Sequence, residues 1–322
     1  MNPDKTTQEP LLKTVGLKKY FPVGGGQLHA VDGVNLEIPR GSTLGVVGES
    51  GCGKSTLGRL VLRLLEATDG EIFFEGKDIR KASKEEMKKI RPQMQIIFQD
   101  PYASLNPRMS VYELIAEPLV MNHICKNKTE LNMHVLGLMR TVGLATRFVS
   151  AYPHEMDGGR RQRVGIARAL ALQPKFIVCD EPVSALDVSI QAQILNLLMD
   201  LQDEMGLTYM FITHDLSVVK HISDEIAVMY LGQCVERAPS EELFKNPQHP
   251  YTKALLSAIP IPKLRPERVR HIIRGEVSDP IDPKPGCRFA ARCESCKEKC
   301  TGENVELKEV SPGHFVACAL YE

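Results

Sequence analysis

One nine-residue stretch, Gly48 to Thr56, constrains the fold of this chain more than any other feature. It reads GESGCGKST and lies between a short apolar run, Leu44 to Val47, and a helical pattern that starts at Leu57. A strand, a glycine-rich turn and a helix start therefore follow one another in the order that a phosphate-binding loop requires. Glycines permit a tight turn close to an anion, and the amides and dipole of the helix start favour negative charge.

The polar side chains of this loop indicate that its ligand is a nucleotide. Lys54 can reach the β- and γ-phosphates, and the Ser55 hydroxyl can ligate Mg²⁺. The alternative is a glycine-rich turn that carries a lysine by accident, which the flanking strand and helix disfavour. The predicted nucleotide-binding residues are Gly48, Glu49, Ser50, Gly51, Cys52, Gly53, Lys54, Ser55 and Thr56.

Composition and charge exclude several classes of function. Of the 322 residues 43% are apolar, enough for one large domain and a smaller one. Lys plus Arg and Asp plus Glu both number 40, so the balance gives no support for electrostatic binding to nucleic acid or to an anionic membrane. No apolar run approaches the ~18 residues of a membrane span, and the polar N-terminus lacks a secretory signal. We expect a cytosolic protein that docks, if at all, onto a membrane protein.

Candidate functional residues follow the ends of four predicted strands. The loop at Gly48 follows the strand at Leu44, and Gln99 follows a second strand. Asp180 and Glu181 follow a third, apolar strand, and His214 comes after a fourth. Because the chain alternates strands with helices, we predict an α/β fold whose sheet is mainly parallel. Ligands of such sheets bind at the carboxyl ends of the strands, so these residues are predicted to converge on one nucleotide.

The convergent residues suit nucleotide hydrolysis, which needs a metal and a group that directs water. Asp180 is the predicted Mg²⁺ partner of Ser55, and Glu181 is the candidate general base. Gln99 and His214 are predicted to touch the metal, the water or the γ-phosphate. Gln99 and His214 taken singly are more often ordinary loop residues, but their joint occurrence with the loop at Gly48 favours a catalytic role. The predicted catalytic residues are Glu181, His214 and Gln99, and the predicted Mg²⁺ ligands are Ser55, Gln99 and Asp180.

The chain is predicted to contain a helical insert and a distinct C-terminal part. Helical periodicity runs from Val111 to about Phe148 and again from Arg163, and Ser189 is predicted to cap a long helix closed by Gly206. Beyond residue 244 prolines become frequent and the alternation of strands and helices stops. The predicted domains are 1–245, with the insert at about 100–160, and an irregular extension, 246–322.

Five of the nine cysteines lie in the last 36 residues. Their spacing is Cys287-x5-Cys293-x2-Cys296-x3-Cys300, followed by Cys318. In a reducing compartment such crowding favours a metal over disulfides or free thiols, and four thiolates suit either zinc or iron–sulfur. A proline-rich extension has little core of its own, so a bound metal is expected to order it.

Taken together, these motifs resemble those of the ATP-binding subunits of ABC transporters over nearly the whole chain. GESGCGKST resembles the Walker A motif, Gln99 the Q-loop glutamine, and FIVCDEP the Walker B motif with Glu181 as its catalytic glutamate. Ser184 to Asp187 resembles the D-loop, and His214 the switch histidine. The resemblance implies a P-loop NTPase fold of the ABC type, with a mainly parallel sheet, an antiparallel N-terminal sheet and a helical subdomain.

The resemblance also implies an adenine site and a dimer. Either Tyr20 or Phe21 is at the position where the family stacks an aromatic ring on adenine, with Val31 nearby. Two such subunits bind head to tail and enclose two ATP molecules. In this family the signature and D-loop residues act on the partner's ATP; here they are Asp157, Gly158, Gly159, Arg160 and Asp187.

Four stretches resemble importers of oligopeptides and dipeptides, in particular the second, F-type ATPase of each pair. They begin at Ile96, Glu181, His249 and Gly286 and read IIFQDPYASLNPRMSV, EPVSALDVSIQAQILNLL, HPYTKALLSA and GCRFAARC. This implies a second ATPase and two membrane permeases as partners, a solute-binding protein acting indirectly, and a peripheral location on the cytoplasmic face of the membrane. The alternatives are transport of nickel or another small solute, a soluble ABC-type ATPase, and a redox enzyme, for which no dinucleotide fingerprint is present.

The resemblance narrows the metal prediction. Peptide-importer ATPases carry four cysteines at the positions of Cys287, Cys293, Cys300 and Cys318, associated with a [4Fe–4S] cluster, and Cys296 is then additional. Zinc is the alternative. A structural role is expected for the metal.

The signature motif departs from the family. Where the family has Leu-Ser-Gly-Gly-Gln, Met156 to Arg160 reads MDGGR. Asp157 can cap a helix as well as serine does, but a carboxylate ~4 Å from a phosphate charge costs ~1 kcal/mol in water and ~4 kcal/mol at an effective dielectric near 20. We hypothesise that the ATP site facing this signature is weak, with Arg160 and Arg161 offsetting part of the repulsion. The alternative is a tolerated variant with near-normal turnover.

Overall fold

The structure is a computed structural model that describes residues 9–259, 275 and 280–321. It comprises two compact units, residues 1–81 with 211–322 and residues 82–210. The predicted boundary near residue 245 does not coincide with a division between these units. The predicted polar start and most of the proline-rich segment after residue 259 lie outside the described residues.

The described strands and helices follow one another in close agreement with the predicted alternation. The strands are β1 (Leu12–Val23), β2 (Gly26–Ile38), β3 (Thr43–Val47), β4 (Asp69–Phe74), β5 (Lys77–Asp78), β6 (Met94–Ile97), β7 (Phe176–Asp180), β8 (Thr208–Ile212), β9 (Glu225–Tyr230), β10 (Gln233–Pro239), β11 (Lys308–Ser311) and β12 (His314–Val316). The helices are α1 (Lys54–Val61), α2 (Lys84–Ile90), α3 (Pro101–Ser104), α4 (Val111–Met121), α5 (Lys128–Thr141), α6 (Gly158–Leu170), α7 (Val188–Met205), α8 (Leu216–Ile222), α9 (Ser240–Lys245) and α10 (Pro250–Ser257).

In the first unit, two sheets are present. Strands β2, β1, β4 and β5 form an antiparallel sheet in that order, as the resemblance implied. In the other sheet, β3 pairs in parallel with β9, so that Val47 lies opposite Val228. All five residues of β3 are buried, which explains why its sequence is apolar throughout.

The C-terminal segment extends this second sheet, which corrects the prediction of an irregular extension. Strand β12 pairs antiparallel with β10, with Glu236 opposite Val316, and β11 pairs with β12. His314 and Glu236 are fully buried and joined by a bond of 2.8 Å between Nε2 and Oε1. Strands of four and three residues are too short to show an alternating pattern in the sequence.

An aromatic cluster fills the core of the first unit beside β3. Tyr230, Tyr251 and Phe289 pack with ring centroids 4.6 to 5.4 Å apart. Phe289 is 2% exposed, and burial of one such side chain stabilises the fold by about 1.5–3 kcal/mol. The described C-terminal residues therefore have apolar packing of their own, independent of any metal.

In the second unit, β6 and β7 run in parallel, with Ile97 opposite Cys179. The predicted insert, at about 100–160, contains α3, α4, α5, two short 3₁₀ turns and the start of α6. Capping boxes at Ser83 and Ser110 begin α2 and α4.

Two predicted helix starts in the second unit are wrong. Helix α6 begins at Gly158, capped by Asp157, and not at Arg163. Helix α7 is capped by Asp187, whose side chain accepts a hydrogen bond from the Ile190 amide, and not by Ser189. The sequence offers both Asp187 and Ser189, and either residue type caps a helix. Gly206 closes α7 in the left-handed conformation as predicted.

Among the described residues, no helix has both the length and the hydropathy required to cross a lipid bilayer.

Candidate functional site

The loop between β3 and α1 has the close backbone approaches expected of a phosphate-binding turn. Gly53 has φ 101°, and a Cβ there would lie 2.0 Å from the Ala30 carbonyl oxygen. A Cβ on Gly48 would lie 2.1 Å from the Met229 carbonyl oxygen. Since real Cβ atoms do not approach backbone this closely, the shape of the loop requires glycine at both positions.

The Lys54 ammonium is folded over the loop. Its Nζ donates hydrogen bonds to the carbonyl oxygens of Gly48 at 2.8 Å and Glu49 at 2.9 Å, and the residue is 5% exposed. Gly53 is the N-cap residue of α1, and Lys54 is the first residue of the helix. The positive charge of Lys54 therefore lies at the helix end where the dipole also favours anions, which suits a polyphosphate.

His214 is at the same strand edge as the loop. The Thr213 amide donates to the carbonyl of Val46, in β3, at 3.1 Å. Val46 is two residues before Gly48, and His214 is the residue after Thr213. The side chain of Asp215 then caps α8 by accepting from the Ser217 amide at 2.8 Å. His214 is exposed and follows strand β8, as its predicted role requires.

The two candidate adenine-stacking rings occupy neighbouring positions of β1. The Tyr20 hydroxyl donates to Asp32 Oδ1, and its ring stacks on His29 with centroids 3.8 Å apart. The Lys19 ammonium lies 5.0 Å from the centre of the Phe21 ring. Burial and the bond to Asp32 raise the pKa of Tyr20, so its hydroxyl stays a donor. Val31 is fully buried in β2.

In the second unit, the structure brings Gln99 and Glu181 together. Gln99 Nε2 donates to Glu181 Oε2 at 2.9 Å. This follows from the parallel pairing of β6 with β7, because each residue lies just past the carboxyl end of its strand. Asp180, the last residue of β7, is 4% exposed.

The backbone of Glu181 has an unusual conformation. Its φ is +48°, in the left-handed region that residues other than glycine rarely occupy. The Ser184 hydroxyl, at the start of the D-loop, donates to the Glu181 carbonyl at 3.1 Å. Backbone outliers of this kind cost about 1–3 kcal/mol and are concentrated at functional sites; six other non-glycine residues of the described structure also have positive φ.

The MDGGR signature is arranged around an internal ion pair. Asp157 Oδ1 accepts from the Arg160 amide at 2.8 Å, and Oδ2 lies 3.1 Å from the Arg160 guanidinium. That guanidinium also lies over the Phe148 ring at 4.7 Å. Arg161 instead lies over the Tyr102 ring at 5.4 Å. Arg160, but not Arg161, therefore offsets the charge of Asp157 within this chain.

The C-terminal cysteines are near one another. Electrostatic interactions connect every pair among Cys287, Cys293, Cys300 and Cys318, and these four are buried or half-buried, whereas Cys296 is exposed. Burial raises the pKa of Cys287 to about 11. Within the described part of the chain, however, no group of three or more His, Cys, Asp or Glu side chains is arranged to hold a metal ion.

Sequence reasoning missed the residues that contact the phosphate loop from the C-terminal segment. Tyr251 and Arg292 both contact Glu49, and Arg288 contacts Asp32. The two arginines lie in the stretch GCRFAARC, but nothing in that stretch indicates that Glu49 and Asp32 are their partners.

Comparison with known proteins identifies the family. A family model described as ABC transporter matches residues 31–184, and one described as the C-terminal region of oligopeptide/dipeptide transporters matches residues 235–300. A dipeptide transport ATP-binding protein of Haemophilus influenzae, DppF, is 51% identical over 96% of both chains. The chain belongs to the ABC transporter ATP-binding proteins.

Other ABC proteins agree with this. An oligopeptide transport ATP-binding protein of Bacillus subtilis, AppF, is 50% identical over 98% of both chains. A solved dimeric ATP-binding cassette in a post-hydrolysis state, bound to ADP and Pi, superposes with a TM-score of 0.66 at 29% identity, covering 71% of this chain and 98% of that one. The cassette cbiO1 of Clostridium perfringens, part of an ABC transporter complex, gives a TM-score of 0.67 at 30% identity, over 74% and 92%. The predicted ABC ATPase fold is confirmed.

Proposed function

We propose that this ABC ATPase hydrolyses ATP to energise the import of dipeptides or oligopeptides through a membrane ABC transporter. The observation that carries the proposal is identity of about half the residues with dipeptide and oligopeptide transport proteins over 96% or more of the chain. That similarity includes the C-terminal region, which matches the family model described as the C-terminal region of oligopeptide/dipeptide transporters.

The residues of the two units have distinct proposed tasks. Lys54 and the α1 amides bind the β- and γ-phosphates, and Tyr20 or Phe21 stacks on adenine. Mg²⁺, held by Ser55, Gln99 and Asp180, would neutralise charge on the phosphates. Glu181 directs the attacking water as general base, and its bond to Gln99 fixes the orientation of the carboxylate before ATP binds. His214 contacts the γ-phosphate.

The proposed partners are a second ABC ATPase, two permeases and, indirectly, a solute-binding protein, at the cytoplasmic face of the membrane. The residues on either side of Gln99 support permease docking. Phe98 and Tyr102 are 39% and 53% exposed, and Phe98 lines a cavity of about 120 Å³ together with Ile96 and Leu105 among others. Exposed aromatic rings next to a concave surface are typical of protein interfaces.

In the dimer, Asp157 is proposed to face the γ-phosphate held by the partner ATPase and to weaken that site. Its pairing with Arg160 leaves the charge only partly compensated, since both side chains are about half exposed and exposed ion pairs are screened by water.

A metal on Cys287, Cys293, Cys300 and Cys318, a [4Fe–4S] cluster or else zinc, remains part of the proposal. The thiols suit it in number and mutual proximity, but they are not in ligand geometry, and those with raised pKa values must lose protons to bind. A structural role is proposed, on a segment that already packs through Phe289.

Uptake by the complete transporter tests this function. Cells that depend on this system should accumulate a labelled dipeptide or tetrapeptide, and Glu181→Gln should abolish uptake while leaving ATP binding intact. Uptake of Ni²⁺ in place of peptides, or normal peptide uptake by the Glu181→Gln variant, would contradict the proposal.

A further inference from the structure

A short segment of the C-terminal region carries two buried arginines. Residues 287–293, here termed the arginine segment, contain Arg288 and Arg292, each next to a cysteine. Their side chains are 6% and 10% exposed. Buried arginines are rare unless paired, so the identity of their partners is informative.

Arg292 binds the phosphate loop. Its guanidinium donates two hydrogen bonds to the Glu49 carboxylate, at 2.8 and 3.2 Å, and another to the Tyr230 hydroxyl at 3.2 Å. The Glu49 amide donates to the Tyr251 hydroxyl at 2.9 Å, and the Glu49 carbonyl accepts from Lys54. All three polar groups of Glu49 are therefore hydrogen-bonded. Its carboxylate and amide are bonded by Arg292 and Tyr251, which belong to the C-terminal part of the chain, and its carbonyl is bonded by Lys54.

Arg288 binds the strands that carry the adenine-stacking candidates. Its guanidinium donates to Asp32 and to the Leu231 carbonyl. Asp32 in turn accepts from the Tyr20 hydroxyl and bonds His29 Nδ1 at 3.1 Å. The same arginine segment thus reaches the two parts of the chain predicted to hold opposite ends of ATP.

The turn beside Leu231 connects the two contacts. The Gly232 amide donates to the Cys52 carbonyl at 2.9 Å, and the Asp32 amide donates to the Gly232 carbonyl at 2.8 Å. Phe289, between the arginines, is anchored in the aromatic cluster with Tyr230 and Tyr251. The arginine segment is therefore joined to the phosphate loop and to β2 by hydrogen bonds and to the aromatic cluster by Phe289.

We propose that the arginine segment is a positioning element of the nucleotide site: Arg292, with Tyr251, sets the backbone of the phosphate loop, and Arg288 sets the strand that carries Tyr20. Neither arginine touches ATP. This rests on the proposed function, in which residues 48–56 bind ATP. Its consequence is that ATP affinity depends on the C-terminal segment.

The proposal predicts a change in KM that exceeds the change in kcat. The two hydrogen bonds between Arg292 and Glu49 are charge-assisted, and we expect their loss to weaken the affinity of the loop for ATP by about tenfold. In the complete transporter, Arg292→Lys, which keeps the charge but loses the fork, should raise the KM for ATP about tenfold and leave kcat within about twofold. Tyr251→Phe should raise KM less, and Arg288→Lys should raise KM and the dissociation constant of a fluorescent ATP analogue.

Tyr321→Phe is the matched control for Tyr251→Phe, because each variant removes one tyrosine hydroxyl. The Tyr321 hydroxyl donates to the Gln248 carbonyl at 3.1 Å, so this variant also deletes one phenolic hydrogen bond of the first unit, but away from the loop. It should leave KM unchanged. Thermal unfolding of each variant shows whether it is folded.

Two results would overturn the proposal. One is unchanged ATP affinity in Arg292→Lys and Arg288→Lys, with Lys54→Ala still abolishing binding. The other is a lowered melting temperature and kcat with KM unchanged, which indicates a merely structural contact. If Lys54→Ala also binds ATP normally, the proposed function itself is wrong.

Discussion

Replacement of Gly53 by alanine tests the geometry of the phosphate loop, with Gly51→Ala as its matched control. Both glycines have positive φ, 101° and 79°. A Cβ at position 53 would lie 2.0 Å from the Ala30 carbonyl oxygen, whereas a Cβ at position 51 meets no atom within 4 Å. The two substitutions share the backbone strain, and Gly53→Ala alone adds a steric clash.

The magnitudes follow from this difference. Left-handed strain for alanine is about 1–2 kcal/mol, so Gly51→Ala should lower kcat/KM for ATP by about tenfold at most. In Gly53→Ala the loop or β2 must also move by at least about 1.4 Å, from 2.0 Å to an ordinary contact distance of 3.4 Å, and a displacement of even about 1 Å can cost about 100-fold in rate. Gly53→Ala should therefore be at least about tenfold more damaging than Gly51→Ala.

Steady-state ATP hydrolysis by the complete transporter measures both variants, and equilibrium binding of a fluorescent ATP analogue separates affinity from turnover. Thermal unfolding should show that both variants fold. Equal losses in the two variants, or normal ATP affinity in Gly53→Ala, would refute the inferred contact with β2.

Three further predictions concern other parts of the molecule. Asp157→Ser should raise the ATPase rate of the heterodimer without altering its stability, since serine also caps α6; an unchanged rate would contradict the proposed weak site. Burial lowers the pKa of His249 to about 4, so the unfolded chain binds the proton more tightly and stability should fall by up to about 3 kcal/mol as pH drops from about 6.5 to 4. His249→Asn, which keeps an acceptor for the α10 cap, should flatten that dependence in denaturant titrations. Cys300→Ser should abolish metal retention and Cys296→Ser should not, as measured by iron and zinc content; equal retention would exclude the proposed ligand set.

The features that the sequence made predictable follow either from local pattern or from a simple rule of sheet topology. Strand, glycine turn and helix are contiguous around Gly48, so the loop could be read directly. The contact between Gln99 and Glu181 joins residues far apart in sequence, yet it follows from one rule, that parallel strands end at a common edge. The identity of the helix caps was less determinate, because Asp187 and Ser189 are both good N-cap residues.

The contacts of the C-terminal segment could not be predicted because they depend on non-local packing. Arg292 and Glu49 are charged residues of ordinary appearance in the sequence, and only the fold brings the buried Arg292 guanidinium to the half-buried Glu49 carboxylate. Strands β11 and β12 are too short to show a period of two, and β12 is stabilised by its pairing with β10. The abundance of prolines and cysteines pointed to an irregular, metal-dependent segment, but it did not reveal the apolar anchor, Phe289.

ATP turnover by the complete transporter, with Lys54→Ala and Glu181→Gln introduced separately, tests the central claim most directly. Lys54→Ala should lose ATP binding and turnover together, and Glu181→Gln should retain bound ATP without hydrolysing it. Undiminished hydrolysis in both variants would contradict the account.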